Sequence, residues 1–565
     1  MSVSTGGAST CAITTTSVTA TSGQLYCWGA GSRGRLGRNR ANDVGTAIPA
    51  LVTALKSDVT DVDVGQAHAC AVLKDTTVKC WGANNIGQLG NGHPDIKGSG
   101  AIIARAGATT IANVTLAGSG TIRVGTRVTV TTGTVTNFYI PVATTVAAVT
   151  GSGPYTVTLS KAALQPGSGL DVTFSDINPY VDQPAHVAVN NLTGTGALTG
   201  AKKVSAGYGH TCALLDSGEV NCWGDGGNGR LGRGSTVDST YPVTVTGITD
   251  AIDVSAGYIH SCAVLIDTRV KCWGSNRSGQ LGDNTTTSRS TPVFVKTADP
   301  EGGPPIALTG AAKVFGAYGH TCAVMTDKTV DCWGSNQFNE LGDPDFAETD
   351  DAGMLRPSPI ARPVPNLTGV IELSTSYLHT CAITQAKKTY CWGHNTQGDA
   401  ATGDFASPVT APSIVNGLAT ESTKISAGNG YTCAIGTATG TFKSGAASCW
   451  GFGGNGQRGD GTTDKSPVPV PIWGGPNIDI VPPPTPTFLV RPDPRTKSRT
   501  ANFSFRCAEA GVSFKYQIDG AAFVAAPNGT VTIKKLKPGP HQINLIASDI
   551  YGNASPPGIY KWTIV

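Results

Sequence analysis

Cysteine is the residue type whose spacing in this chain could do chemistry, because all but one of its 15 cysteines fall into repeated pairs. The phrase HTCALLDSGEVNCWG at 210–224 places Cys212 and Cys222 ten residues apart, with the turn signal Asp-Ser-Gly midway between them. Such a pair could be a metal site, a redox centre or a disulfide. The pairs are Cys11 with Cys27, Cys70 with Cys80, Cys212 with Cys222, Cys262 with Cys272, Cys322 with Cys332, Cys381 with Cys391, and Cys433 with Cys449.

The spacing within a pair favours a disulfide between neighbouring strands. In a hairpin centred on Ser217, the two cysteines face each other, and facing Cα atoms about 4.5 Å apart are within reach of a disulfide. Structural zinc sites use cysteines about two to four residues apart, and no redox Cys-x-x-Cys motif is present. We therefore expect seven cross-strand disulfides and maturation in an oxidising compartment. Cys507 is left over, either buried and inert or joined to another chain.

The composition indicates an all-β protein. The chain has 565 residues with 73 glycines and 14% charged residues, which is typical of many short strands and turns. A formal charge of +3 gives no reason to expect binding to nucleic acid. No stretch reaches the roughly 18 consecutive apolar residues that cross a bilayer. The start, MSVSTGGAST, carries no export signal, so we expect that a signal has been removed or that another export route is used.

The cysteine pairs belong to a sequence repeat of roughly fifty to sixty residues, with a longer interval between Cys70 and Cys212. Read from a Pro-Val dipeptide such as Pro242-Val243, each repeat supplies one strand, a second apolar strand ending in glycine, the cysteine hairpin and a Gly-rich loop. About four strands per repeat is the content of a propeller blade. We therefore predict a seven-bladed β-propeller.

The motif V-x-A-G-x-x-H-x-x-A, followed by V-x-x-W-G and G-x-L-G, resembles the repeat of the regulator of chromosome condensation propellers. The resemblance is to the cysteine-stapled form found in secreted bacterial proteins, and it covers roughly residues 5–93 and 184–473. Blade six has Ala400-Ala401 in place of Leu-Gly, and blade seven has Arg458 in place of Leu. Ser9 and Tyr431 stand at the histidine position of blades one and seven.

The two ends of the repeated region predict how the ring closes. Blade one lacks a Pro-Val strand before Cys11, whereas the segment SPVPVPI at 466–472 follows blade seven with no hairpin after it. We expect this segment to complete blade one as a closing strand, which would remove exposed sheet edges. Blades one and two would then occupy 1–93, and blades three to seven with the closing strand would occupy 184–473.

Three segments lie outside the repeats. Residues 94–183 alternate with strand periodicity and are similar to short β modules of bacterial surface and phage fibre proteins. Entering between blades two and three, they should form a separate β module. Residues 474–487 are a stiff Pro-rich linker by composition. Residues 488–565 resemble bacterial immunoglobulin-like β-sandwich domains, with Tyr516 and Ala526 where related domains often carry a cysteine pair.

Histidines and carboxylates offer two candidate metal sites. Five histidines precede the first cysteine of a repeat by two residues, but equivalent positions on different blades lie too far apart for one ion, so we interpret them as structural. They are His68, His210, His260, His320 and His379. A blade-five loop concentrates carboxylates that could hold calcium, which takes about six to eight oxygens. These are Asp343, Asp345, Glu348, Asp350 and Asp351. Their spacing does not match the calcium loop, and a solvated acidic loop is the favoured interpretation.

Four tyrosines occupy one repeat position in successive blades, two residues before the histidine. They are Tyr208, Tyr258, Tyr318 and Tyr377. Repeat symmetry should place them in an arc near the central opening, where tyrosine is well suited to binding. The alternative is that each ring covers its own blade or stacks on its neighbour. Gln66 and Asn429 stand at this position in blades two and seven, so the arc would be one-sided.

These patterns predict a non-catalytic binding or adhesion protein, extracellular or on a bacterial cell or virion surface, without a cofactor. No nucleophile with a base, no phosphate loop and no paired acids in a repeated strand context stand out, so no enzyme is expected. The partner would be a protein or a glycan. The alternative is a structural subunit of a filament, surface layer or phage fibre that binds copies of itself. Guanine-nucleotide exchange or enzyme inhibition by the propeller is favoured less.

Overall fold

The computed structural model describes residues 2–14, 23–40, 43–55, 58–92, 96–103, 108–116, 127–132, 135–136, 146–150, 155–163, 167–175, 182–193, 196–346, 348–351, 353–418, 421–436, 447–472, 483–508, 512–526, 529–548 and 554–565. Contacts divide the chain into two units, Met1–Thr439 with Ser444–Trp473, and Gly440–Lys443 with Gly474–Val565. Within the described ranges, no helix is both long and apolar enough to span a membrane. The chain is all-β, as its composition predicts.

Seven antiparallel sheets, each with four blade strands, form a propeller, and the first strands of all seven line a central channel. Blade five gains two short strands at its outer edge. The strands of blade one are Ser2–Thr5, Ser9–Thr14, Gln24–Gly29 and Thr46–Leu51; those of blade two are Val59–Val64, His68–Leu73, Val78–Gly82 and Gln183–Ala188; and those of blade three are Ala201–Ala206, His210–Leu215, Val220–Gly224 and Ser239–Thr244. Blade four has Ala251–Ala256, His260–Leu265, Val270–Gly274 and Arg289–Phe294, and blade five has Ala311–Gly316, His320–Met325, Val330–Gly334 and Ser358–Pro363, with Lys296–Thr297 and Ile306–Ala307 added. Blade six has Val370–Thr375, His379–Thr384, Thr389–Gly393 and Val409–Ile414, and blade seven has Ser422–Gly428, Tyr431–Gly436, Ala447–Gly451 and Ser466–Pro471. Short 3-10 turns occur at Ser32–Gly34, Thr53–Leu55 and Gly227–Gly229.

The phase of the repeat differs from the prediction, and the closing strand is the main correction. The strand Ser466–Pro471 pairs with the cysteine hairpin of its own blade seven, with Val470 opposite Cys449, and does not complete blade one. Likewise, Gln183–Ala188 pairs with Val78–Gly82, so the insertion enters inside blade two rather than between blades two and three. A periodic sequence carries no mark of where its unit begins, and the Pro-Val strand expected at the start of a repeat is the outer strand of the preceding blade.

All seven cysteine pairs face each other across the second and third strands of their blades. Their Cα atoms lie 4.0 or 4.1 Å apart, and the fourteen sulfurs form the seven pairings expected from the spacing. Each bond therefore joins strands of one blade, and none joins two blades. Non-covalent contacts must hold neighbouring blades together.

The apolar core lies between blades. One cluster, for example, packs Cys212 and Leu231 of blade three against Val254, Ala263 and Trp273 of blade four. The tryptophan that follows each second cysteine is fully buried in all seven blades. Six of these indoles cross to the preceding blade, as where Trp273 Nε1 donates a 2.9 Å hydrogen bond to the Arg230 carbonyl. The seventh, Trp28, does the same across the closing interface.

A hydrogen-bond relay joins blades at five successive interfaces. His68 Nε2 of blade two lies 2.8 Å from the hydroxyl of Thr211 in blade three, and that hydroxyl donates to the Gln88 carbonyl of blade two at 3.1 Å. Because the hydroxyl has one proton and gives it to a carbonyl, the imidazole must donate from Nε2. The other four links are His210 to Ser261, His260 to Thr321, His320 to Thr380, and His379 to Thr432, at 2.7 to 3.0 Å. The five histidines are thus structural, as the sequence indicates.

The two remaining interfaces depart from this pattern. Between blades seven and one, Tyr431 replaces histidine and its hydroxyl donates to the Ser9 carbonyl at 2.8 Å. Between blades one and two, Ser9 replaces histidine and Ala69 replaces the hydroxyl residue, so both halves of the relay are missing together. Closure is also supported by the amide of Thr5, which donates to the Ser426 hydroxyl at 2.9 Å.

The insertion and the C-terminal unit are β structures with their own buried side chains. Seven strands of the insertion form one sheet, and Ile111, Val157 and Leu170 are among the side chains buried on it. These strands are Ile96–Ile103, Thr110–Leu116, Arg127–Thr132, Val135–Thr136, Val146–Thr150, Tyr155–Leu159 and Gly167–Ser175. The predicted linker 474–487 lies mostly outside the described residues.

In the C-terminal unit, one sheet of three strands and one of five bury a shared core that includes Phe503 and Trp562. The strands are Thr487–Val490, Arg495–Thr496, Ala501–Arg506, Ser513–Ile518, Val524–Ala525, Thr530–Ile533, Gly539–Ser548 and Gly558–Ile564. Cys507 is a partly exposed free thiol, and its sulfur contacts the Pro484 carbonyl at 3.2 Å.

Replacing the relay hydroxyl should destabilise the ring. Thr211→Val leaves the buried Nε2–H of His68 without its acceptor, and we expect a loss of about 1–3 kcal/mol in the free energy of unfolding. Thr211→Ser keeps the hydroxyl and should recover most of it. Urea denaturation without reductant measures both, with the exposed Thr291→Val as a matched control. Equal losses at Thr211 and Thr291 would contradict the relay.

Removing the insertion should leave the ring folded, provided that the outer strand of blade two is kept. In this deletion, residues 94–182 are removed and a copy of the blade-four loop 275–288 connects the two ends. We expect it to unfold close to the temperature of the full chain, because the free energy of loop closure depends only weakly on loop length. A deletion of 94–188 also removes Gln183–Ala188 and should unfold at lower temperature. Calorimetry compares the two deletions. Collapse of the shorter deletion would place the insertion in the propeller core.

Candidate binding site at the channel mouth

Strand direction places the four tyrosines at one end of the channel. The first strand of each blade runs toward this end and turns at the tyrosine, and the third strand returns to the same end before its loop to the fourth. Long loops such as 335–357 and the insertion therefore leave from the tyrosine end. The opposite end carries short turns such as 266–269. We call the tyrosine end the mouth face.

The tyrosine rings form one contiguous cluster. Ring centroids are 4.2 Å apart for Tyr208 and Tyr258, 4.7 Å for Tyr258 and Tyr318, and 4.1 Å for Tyr318 and Tyr377. Tyr258 and Tyr377 also meet edge to face at 5.8 Å. The rings therefore contact their neighbours in tilted or edge-to-face geometry while they line the mouth of the channel. Tyr208 remains 40% exposed.

The mouth is an uncharged concavity of about 100 Å³. Among the described residues that line it there is no Asp, Glu, Lys, Arg or His side chain. Gln66 and Asn429 complete the ring opposite the tyrosines. Burial is the main cause that raises the pKa of Tyr258 well above its usual range, and the neighbouring Tyr208 raises it further. We call this concavity the tyrosine mouth.

Backbone hydrogen bonds between blades hold the turns that carry the tyrosines. The Tyr258 amide donates to the Ala317 carbonyl at 2.9 Å, and the Tyr318 amide donates to the Ser376 carbonyl at 3.3 Å. The Asn429 amide closes the circle by donating to the Gly6 carbonyl at 3.2 Å. At Gly65, a Cβ would lie 2.4 Å from the Gly207 carbonyl oxygen and 2.7 Å from the His68 ring, so only glycine permits this approach.

The other end of the channel holds a ring of alternating charges that sequence analysis missed. The third residue of the first strand is charged in blades two to seven, with signs that alternate. These residues are Asp61, Lys203, Asp253, Lys313, Glu372 and Lys424. Lys203 Nζ lies 2.6 Å from the Asp253 carboxylate, and Glu372 accepts from both neighbouring lysines at 3.2 and 3.3 Å. Comparing this one position across the repeats would have found the ring.

The charged ring surrounds a cavity of about 440 Å³. Its carboxylates are also held by the backbone, since Asp253 accepts the Val314 amide at 2.9 Å and Asp61 accepts the Val204 amide at 3.1 Å. Burial raises the pKa of Asp61 to about 6. The two ends of the channel therefore differ in kind, one neutral and aromatic, the other charged and internally paired.

The acidic loop of blade five does not converge on a cation site. Asp343 is partnered by Arg362 at 3.6 Å and accepts the Asp345 amide at 3.1 Å, while Asp350 accepts the Met354 amide at 2.9 Å. Within the part of the chain that the structure describes, no group of three His, Cys, Asp or Glu residues is placed to hold a metal ion. The loop with Glu348 and Asp351 forms part of the rim of the mouth face.

The relay histidines lie directly beneath the mouth and are neutral. Burial lowers the pKa of His68 and His379 to about 4 and that of His260 and His320 to about 3, and it also lowers the pKa of His210 well below its usual range. The sequence indicates a structural role for these histidines. Which ring nitrogen donates is known only from the positions of the partner hydroxyls.

Two family models describing the regulator of chromosome condensation (RCC1) repeat match the chain, together covering parts of blades one to five. One matches residues 59–88, 201–230, 251–280 and 314–340, and the other matches 22–72, 217–264 and 269–324. The ultraviolet-B receptor UVR8 of Arabidopsis thaliana is 24% identical over 399 residues, which are 70% of this chain and 67% of the receptor. The probable E3 ubiquitin-protein ligase HERC6 of Homo sapiens is 29% identical over 40% of this chain, but the match covers 18% of the ligase.

Solved structures with similar folds include Prp20p of Saccharomyces cerevisiae, described with its binding to Gsp1p and histones. It is 18% identical to this chain, and the match covers 80% of this chain and 85% of the Prp20p chain with a TM-score of 0.53. Human WBSCR16 is 15% identical to this chain, and the match covers 80% of this chain and 94% of the WBSCR16 chain with a TM-score of 0.51. The repeats of blades one to five are thus similar to the regulator of chromosome condensation repeat, and the ring shares the fold of the Prp20p and WBSCR16 structures.

Proposed function

We propose that this protein is a secreted, non-catalytic binding protein whose mouth face holds a protein partner. The observation that carries the proposal is the tyrosine mouth, an uncharged aromatic concavity at the end of the ring from which the loop 335–357 and the insertion leave. Tyrosine buries a large rigid area at little cost in conformational entropy and is enriched at binding hot spots. Loops on a rigid scaffold are where binding function usually lies.

The size and chemistry of the tyrosine mouth favour one kind of contact. A concavity of about 100 Å³ takes a single side chain rather than a whole peptide. Since its lining is uncharged, the inserted group should be uncharged as well, with Gln66 and Asn429 available for hydrogen bonds. The rim loops would then supply the remaining area that a stable protein complex needs.

The seven intrablade disulfides support an extracellular place of work, because such bonds persist in oxidising compartments. Prp20p is described as binding Gsp1p and histones, which is precedent for protein binding by this fold, while nuclear exchange activity agrees poorly with seven disulfides. The immunoglobulin-like class of residues 488–565, a bacterial source and an adhesive role are further parts of this proposal. A regular polymer of native protein under the electron microscope would favour a filament subunit instead.

A photo-crosslinker tests the face directly. With p-benzoylphenylalanine at Tyr208, we expect capture of a discrete extracellular protein from the medium or surface of the source organism. The same probe at Ile266, which is 71% exposed on the opposite end, should not capture it. The purified partner should then bind the double variant Tyr208→Ala and Tyr258→Ala at least about tenfold more weakly. Binding unchanged in that variant, or capture equal at Ile266, would refute the assignment.

A further inference from the structure

Each blade interface that carries tyrosine contacts also carries a buried imidazole. We propose that protonation of the relay histidines loosens the five successive interfaces that run from blade two to blade seven. This loosening separates the tyrosine rings and so releases a partner held at the mouth. The release step rests on the proposed function. The loosening step concerns the ring alone.

The relay leaves no place for a second proton on most of these imidazoles. Nε2 already donates to a hydroxyl of the next blade, so a proton must enter at Nδ1. In His68, His210, His260 and His320, this nitrogen is buried and has no hydrogen-bond partner among the described residues. Burying a cation with an unmatched N–H is strongly unfavourable. His379 differs, because the Ser376 hydroxyl lies 2.8 Å from its Nδ1.

The charged groups around the relay mostly oppose protonation. Arg230 faces His210 and His260, and its own charge is paired with Asp225 at 2.8 Å. His320 is faced by two other relay imidazoles, His260 and His379. Among the described residues, Asp399 is the one carboxylate that lies close to a relay imidazole, 3.5 Å from His379, and it is closer to His394 at 2.8 Å. Glu340 is buried near His394 at the interface of blades five and six.

Protonation and the tyrosine cluster are linked by the same turns. Tyr258 and His260 lie two residues apart on one turn of blade four. At the interface with blade five, the Tyr258 amide bonds to the Ala317 carbonyl while His260 bonds to Thr321 at 2.7 Å. The ring of Tyr258 meets that of Tyr318 across this interface. Parting the imidazole from its hydroxyl must therefore shift the aromatic contact.

The covalent bonds limit the change to the interfaces. Every disulfide lies within a blade, so acid acts on the contacts between blades while each cysteine hairpin stays closed. The closing interface uses Tyr431, whose hydroxyl stays protonated in acid. The ring therefore has an acid-resistant closing contact and acid-sensitive internal contacts.

The sign of the effect follows from linkage. A histidine whose pKa is lowered by folding contributes stability above its unfolded value of about 6.5 and loses it as the pH falls toward the folded value. Six histidines act in this sense, the five of the relay and His186 in the outer strand of blade two. Burial raises the pKa of Asp61 and Asp331 to about 6 and also raises that of Glu340, so these three contribute in the opposite sense. The five imidazoles outnumber them between pH 6.5 and 4.

Hydrogen–deuterium exchange of the full chain from pH 7.5 to 4.5 tests the loosening. After correction for the intrinsic pH dependence, we expect amides of the first two strands in blades three to six to exchange about tenfold faster or more in acid. Disulfides should stay intact and protection should return at pH 7.5. The variant His260→Gln with His320→Gln keeps a donor for each hydroxyl but cannot be protonated, so its transition should occur at lower pH. His541→Gln, in the C-terminal unit, is the control.

Protection that is unchanged at pH 4.5, or a glutamine variant with the wild-type transition, would overturn the proposal. If the glutamine variants do not fold, the imidazole resonances of the wild-type protein decide. They should stay neutral until the ring loosens, and titration near 6.5 in the closed ring would overturn the proposal. With a crosslinked partner in hand, loosening without release would refute the proposed function of the mouth and leave the acid response standing.

Discussion

The contact between one imidazole, one hydroxyl and one carbonyl is the interaction on which the ring depends. Because every disulfide lies inside a blade, nothing covalent except the chain connection holds adjacent blades together. The Gln88 carbonyl accepts both Thr211 and Trp223 of the next blade, at 3.1 and 2.9 Å, while His68 donates to the same threonine. Two side chains of blade three thus converge on one loop of blade two, and His68 of blade two holds one of them. This convergence fixes the loop, the indole and the cysteine hairpin with respect to one another.

Ring closure relies on the same position in a different form. Many propellers avoid open sheet edges by strand exchange, but here Ser466–Pro471 remains with blade seven. The closing interface instead substitutes the longer Tyr431, which reaches the Ser9 carbonyl and lies 3.0 Å from the Thr10 hydroxyl. Thr10 and Trp28 still converge on one carbonyl, that of Gln457. Closure therefore combines backbone and side-chain hydrogen bonds, and Tyr431 is an adaptation of the relay rather than a break in it.

Much of this could be predicted from the sequence, because hairpin register follows from where the turn lies. Once Ser217 is placed at the turn, Cys212 must face Cys222, and the same holds in every blade. The repeat phase could not be predicted, since periodicity has no origin. The loss of the relay between blades one and two was visible, because Ser9 and Ala69 depart at partner positions, but recognising it required knowing that those positions touch. The contacts between the tyrosine rings could not be predicted, because they depend on the radius of the propeller, which the sequence alone does not give.

The two ends of the channel have opposite consequences for what the ring can hold. At the charged end, Asp253 is already matched by a lysine and a backbone amide, and Glu372 by two lysines, so a ligand there would have to replace contacts that are satisfied. At the mouth, the rings of Tyr208 and Tyr377 have aromatic neighbours mainly on one side, because Gln66 and Asn429 interrupt the circle. An incoming uncharged group adds contacts there without displacing an ion pair. Asymmetry in an otherwise sevenfold scaffold is therefore what distinguishes the mouth as the end suited to binding.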